Sequence, residues 1–348
     1  MREKNTEEAR HTDNSRKHNP VIVIAVTTAA AAILSVPSSF DSIGLLAFFA
    51  SGLAAALFAF GYFVTGSPYL FLSAPLAYLL SLAVSGSPLT SLAALTFLPP
   101  AFWMTRLAEK KPTRCQAIVG MSAATVVWFV LYSLLSILVR WGAVSGESLE
   151  GYFNELTATV RGVLTNASLY DQKGNIVYLY TSEQVDTLIR YLLLYFPSML
   201  LCIANLYAAY ISAVYFRLLR RFALDDKLTK PDDRKWELEI SVISAAVFCV
   251  AYLLRILFSS EDVNAMMVVT TNLLILLVPG FAWIGTGAVL RRARQNSGSR
   301  LGVFYIVAAI ILCVINVVAC MTLLAFFGVV ETFLSSYRIR REDGGDDD

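Results

Sequence analysis

Between Val21 and Val330 the chain is a succession of apolar runs, roughly 16 to 28 residues each and almost without charge, parted by short polar turns and basic loops. Such runs admit few folds. In hydrocarbon no water can bond a bare N–H or C=O, so a crossing segment must satisfy its backbone internally, as a helix does. The overall composition agrees, with 57% of the 348 residues hydrophobic and 16% charged, against about 45–50% and about 25% in ordinary soluble domains. That surplus of apolar surface has to face lipid. The expected fold is an all-α polytopic transmembrane helical bundle of about nine spans, several interrupted by proline.

Residues 1–20 are polar, of mixed charge and without periodicity, which reads as a disordered cytoplasmic tail. N-terminal membrane helices, five spans, are expected over 21–139. The first, Val21 to Val36, covers only about 24 Å of a core about 30 Å thick; it is read as a span rather than a signal peptide because further spans follow it. Ala25, Ala29 and Ala32 give it a small-residue face, and Ala50 and Ala54 give one to the second span, Ile43 to Thr65. Small faces let helices approach closely, so Ala25, Ala29, Ala50 and Ala54 are the candidate surface for a membrane-protein partner. The third and fourth spans open at Gly66-Ser67-Pro68 and Gly86-Ser87-Pro88, turn signals that make up-and-down hairpins. Pro99-Pro100 removes two amide donors from the fourth span, and the resulting break is expected to face the bundle. The fifth span runs from Cys115 to Val139.

Residues 140–186 hold more acid than base and read as an external loop. Within it Leu149, Tyr152, Phe153, Leu156, Val160, Val163 and Leu164 recur at spacings of three and four, the mark of an amphipathic helix lying along the membrane face or capping the bundle. Thr181 and Gln184 have capping-box spacing and place the start of the next helix close to Ser182. C-terminal membrane helices, four spans, are expected over 187–337: Leu188 to Tyr215 with Pro197 inside, Ile240 to Phe258, Ala265 to Leu290 with Pro279-Gly280 inside, and Leu301 to Val330. Residues 338–348 form a charged tail. Lys and Arg gather around 106–114, 217–235 and 291–300, loops that alternate correctly if the N-terminus is cytoplasmic. The C-terminus then lies outside, where Arg338, Arg340 and Arg341 run against the same rule.

Little in the chain points to catalysis. Both histidines, His11 and His18, lie in the tail, and the five cysteines, Cys115, Cys202, Cys249, Cys313 and Cys320, are scattered with no CxxC pair. No phosphate-binding loop, nucleophile elbow or dinucleotide fingerprint is present, so the chain reads as no enzyme, with no catalytic residue, metal or cofactor. A net charge of +2 gives no sign of a nucleic-acid partner. No Asp or Glu stands well inside a span, Glu331 marking the end of the last, so the ionisable relay that proton- or sodium-driven carriers keep at membrane depth is missing. Asn205, Asn272 and Asn316 are the polar residues at depth, with Arg255 toward the outer end of the seventh span. A buried asparagine ordinarily bonds a neighbouring helix, at about 0.6 kcal/mol. The sharper reading has Asn205 and Asn272, near Pro197 and Pro279-Gly280, lining a polar cavity opened by broken helices. Arg255 then either pairs outward with Glu261 or Asp262 or anchors an anionic ligand. The candidate substrate-binding residues are Asn205, Asn272, Pro279, Gly280 and Arg255.

Several of these features resemble one group of proteins. They are the helix with Pro197 and Asn205 ending in Arg217-Leu-Leu-Arg-Arg221, Trp236 at the entry to the next span, Asn272 ahead of Pro279-Gly280, and a closing helix with Gly328-Val-Val-Glu331 and Tyr337-Arg-Ile-Arg-Arg. Together they resemble the YybS-like family of bacterial multi-pass membrane proteins. The N-terminal spans are similar in style to the substrate-binding membrane subunits of energy-coupling-factor vitamin transporters and to the rod-shape protein MreD. The resemblance implies a bacterial cytoplasmic (inner) membrane protein and brings over no substrate-contacting motif. Two functions are then open. One is a non-enzymatic transport-type subunit that binds a small solute and is energised by a separate ATPase module. The other is a membrane scaffold for envelope or cell-division assembly.

Overall fold

A computed structural model describes residues 20–39, 44–108, 114–170, 176–222, 240–258, 264–295 and 316–343. It is an all-α helical bundle apart from one small hairpin. Among the described residues six helical stretches are long and apolar enough to cross a membrane: Leu46–Thr65, Pro68–Ser85, Gln116–Trp141, Ser182–Leu219, Ala265–Arg292 and Val317–Tyr337. Val21–Ser35 and Val242–Leu257 are shorter apolar helices. The chain forms two compact units, one of Met1–Leu156 with Ile203–Glu237, the other of Thr157–Cys202 with Leu238–Asp348.

The first unit holds α1 (Pro20–Ser35), α2 (Gly44–Thr65), α3 (Ser73–Ser85), α4 (Pro88–Leu92), α5 (Leu98–Ala108) and α6 (Arg114–Trp141). Its two Gly-Ser-Pro sequences are helix stop, cap and start in three residues. Gly66 and Gly86 take left-handed φ values of 61° and 64°, and their N–H groups donate to Tyr62 O and Leu82 O at 2.7 and 2.9 Å. Ser67 and Ser87 then accept from the N–H groups of Tyr69 and Thr90, and Pro68 and Pro88 occupy the first helical turn. The fourth predicted span is divided into α4, a 3₁₀ turn over Ala93–Phe97, and α5. Pro99 and Pro100 stand in the first turn of α5, where their missing donors would have no partner, so the interruption falls just before them.

Alanine sets the spacing in this unit. Ala31, Ala32, Ala54, Ala55, Ala56 and Ala59 are fully buried together with Phe58 and Phe97. Of the alanines predicted to meet a partner, Ala54 is therefore consumed by internal packing, Ala50 is half-buried, and Ala25 and Ala29 are exposed. Ser51 and Tyr207 share a buried hydrogen bond of 2.7 Å, and α2 presents Gly52 to the rings of Tyr207 and Tyr210.

The predicted amphipathic helix is α7 (Gly146–Thr165). In the first unit Tyr152 donates to Ser133 Oγ at 3.3 Å, packs edge-on against Trp141, and lies one turn from Glu155, which pairs with Arg140. Leu149 and Phe153 stay exposed. In the second unit Arg161 pairs with Asp186. A two-stranded antiparallel hairpin, β1 (Ser168–Tyr170) and β2 (Ile176–Tyr178), follows in register Ser168↔Tyr178. The apolar-period reading passed over it because each strand is only three residues long.

The helix α8 (Ser182–Phe222) starts where the capping box placed it: Thr181 N–H donates to Gln184 Oε1 at 2.9 Å and Gln184 N–H donates to Thr181 Oγ1 at 3.3 Å. Its 41 residues make it about 60 Å long. The second unit continues with α9 (Val242–Leu257), α10 (Ala265–Gln295) and α11 (Val317–Asp343). Neither Pro197 nor Pro279 ends its helix; each removes one backbone bond while the neighbouring turns hold, as proline does in membrane helices whose freed groups find other partners. The last predicted span is corrected at both ends. Asn316 Oδ1 accepts from Ala319 N–H at 3.0 Å, so Asn316 caps the start of α11 and is no mid-span polar residue, while residues 301–315 lie outside the described ones. At the other end the apolar stretch reaches Tyr337, which puts Glu331 inside it.

Candidate functional site

Within the second unit the polar residues of α10 meet the proline turn of α8. Pro197 has no N–H for the carbonyl of Leu193, and its ring crowds the turn before it. The next carbonyl, Leu194 O, accepts from Asn272 Nδ2 at 3.2 Å, and the same amide also donates to Val268 O of its own helix at 2.9 Å. Asn272 thus ties α10 to the weakened turn of α8. Its acceptor end is unspent. Asn272 Oδ1 and the neighbouring Thr271 Oγ1 are both shielded from solvent and find no hydrogen-bond partner among the described residues. Each is held away from water, which is costly unless something polar meets it. A donor would satisfy the amide oxygen, and a group in either role the hydroxyl.

The five predicted binding residues divide between the units. Asn205 is half-buried in the first; Asn272, Pro279, Gly280 and Arg255 belong to the second. Pro279 and Gly280 lie about two turns beyond Asn272 along α10. Among the described residues a Cβ on Gly280 would meet only Ile240 Cδ1, at 2.8 Å, the movable end of a side chain. Arg255 is half-buried in the last turn of α9, and its predicted partners Glu261 and Asp262 lie outside the described residues.

Sequence reading missed the packing that frames this site. Gly285 of α10 and Gly328 of α11 face each other at a backbone crossing. A Cβ on Gly285 would run into Leu324 O and come within 2.9 Å of Gly328 N; a Cβ on Gly328 would run into Phe281 O and come within 3.1 Å of Gly285 N. Ala282 and Ala325, each three residues earlier, are buried at the same seam with Phe281 and Phe248. The shared Ala-x-x-Gly spacing in two apolar helices was a readable sign of close approach. Toward the ends of these helices Glu331 takes Arg291 at 3.2 Å and Arg292 at 3.6 Å. The acid that falls inside the last span is thus neutralised by two guanidinium groups, and it does not stand alone as a coupling-ion ligand would.

No curated protein and no solved structure matches the chain. A family model does, over residues 29–332, and its description fits a multi-pass chain of apolar helices: the protein belongs to the family described as predicted membrane protein (DUF2232).

Proposed function

We propose that this protein is a non-enzymatic, transport-type subunit of the bacterial cytoplasmic membrane, YybS-like in kind, with its N-terminus in the cytoplasm. It binds one small neutral solute at Asn272 and Thr271, and a separate ATPase module supplies the energy. The observation that carries this reading is the unspent hydrogen-bonding capacity of Asn272 Oδ1 and Thr271 Oγ1 beside the proline turn of α8. Pro279, Gly280 and Arg255, of the same unit as Asn272, are further residues of the same reading. The absence of a nucleotide-binding motif from the sequence is why the energy source is assigned to another chain.

A second reading, a scaffold for envelope or cell-division assembly, draws on α7, whose Leu149 and Phe153 remain exposed. The two readings part in one comparison. Small molecules released by solvent from purified wild-type and Asn272→Leu proteins are profiled by mass spectrometry. A species near one per chain in the wild type and at least tenfold depleted in the variant supports the transport-type subunit. Identical profiles from two equally folded proteins overturn the assignment of Asn272.

A further inference from the structure

Two levels of contact fix the relative direction of α10 and α11. At the first, Gly285 opposes Gly328. At the second, Arg291 and Arg292 of α10 reach Glu331 of α11. Stepping toward the C-terminus on one helix steps toward the C-terminus on the other, so the pair is parallel. In an antiparallel pair the same glycine crossing would carry Glu331 toward the start of α10 and away from both arginines.

Parallel helices that both cross a membrane leave it on the same side. At 1.5 Å per residue the end of α10 lies about 15 Å beyond the crossing and the start of α11 about 16 Å before it. The two points are thus about 30 Å apart along the axis, the thickness of the hydrocarbon core. The cap at Asn316 shows that α11 begins there and is no continuation of one long helix from Leu301.

We infer that the chain recrosses the bilayer between Gln295 and Asn316, so that its C-terminal tail emerges on the same side as Arg291 and Arg292. The sequence reading, with one span from Leu301 to Val330, put the tail on the opposite side from those arginines and left Arg338, Arg340 and Arg341 as exceptions to the positive-inside rule. With the extra crossing the exceptions vanish: Arg291, Arg292, Arg294, Arg338, Arg340 and Arg341 all face one compartment. This inference is independent of any bound solute.

The test uses the full chain with Cys115, Cys202, Cys249, Cys313 and Cys320 replaced by serine, carrying a single cysteine from Ser297→Cys or Asp346→Cys. A membrane-impermeant maleimide is applied to intact cells and to inside-out vesicles. Both sites labelling from the same side, each at least fivefold more in one preparation, is the expected result; labelling from opposite sides overturns the inference. If the serine-substituted chain fails to accumulate, a protease site inserted after Ser297 and an epitope at the C-terminus of the native chain give the same two outcomes by protease protection.

Discussion

The two units hold their helices together at different distances. In the first, alanines pack against rings and one another, with Ala31, Ala54, Ala56 and Ala59 fully buried around Phe58 and Phe97. In the second, α10 and α11 touch backbone to backbone at Gly285 and Gly328. Many alanine contacts share the load, and a single side chain can shift to absorb a change. A glycine crossing has nothing to move, because the atoms in contact are carbonyls and amides of intact helices. Lipid offers helices no hydrophobic reason to associate, so packing of either kind must supply the attraction, and the second kind concentrates it in two residues.

The largest effect should therefore come from that crossing. Gly285→Ala or Gly328→Ala places a methyl group inside the partner's backbone and should cost about 3 kcal/mol, as severe overpacking does. The loss would be read as an earlier midpoint in an SDS titration followed by circular dichroism. A midpoint unchanged in both variants would break the contrast between the units.

A smaller effect is expected in the first unit. Tyr207→Phe removes the buried 2.7 Å bond to Ser51 and should cost about 1 kcal/mol, with Ser51→Ala adding little once the tyrosine hydroxyl is gone. Fully additive losses in the same titration would mean that the bond contributes nothing of its own. Next comes Glu331→Gln. Arg291 and Arg292 are about half exposed, so breaking the pair should cost at most about 1 kcal/mol, falling further in high salt. Salt-independent destabilisation would show that the carboxylate acts through packing. Gly280→Ala sharpens the contrast from the other end. It sits in the same helix as Gly285 but among the described residues meets only Ile240 Cδ1, and the midpoint should move by no more than about 0.5 kcal/mol.

Local rules made much of this legible beforehand. Glycine, serine and proline in a row are a stop, a cap and a start wherever they occur, and Thr181 with Gln184 needs only its own helix to close. The amphipathic stripe of α7 was readable for the same reason. What escaped depends on partners far along the chain. Gly285 and Gly328 share an Ala-x-x-Gly spacing, but that they meet each other is fixed only when both helices are in place, and Glu331 marked the end of a span only because Arg291 and Arg292 were not known to meet it. The candidate site divides likewise. Asn272 stood out as a polar residue in an apolar run, but its pairing with Leu194 O and the role of Thr271 needed the fold. Pro197 was expected to break α8; in place, it loosens one turn, and Asn272 takes up the adjacent carbonyl. Asn316 misled because an asparagine between two apolar stretches looks the same buried in a span or capping a new helix.

The most direct test of the proposed role is native mass spectrometry of the intact protein released gently from its own membranes. The expected spectrum shows the chain carrying one small neutral molecule, with a fraction also bound to an ATPase module. A bare chain, or one associated only with envelope-assembly proteins, would contradict the solute-binding role at Asn272 and leave the scaffold in its place.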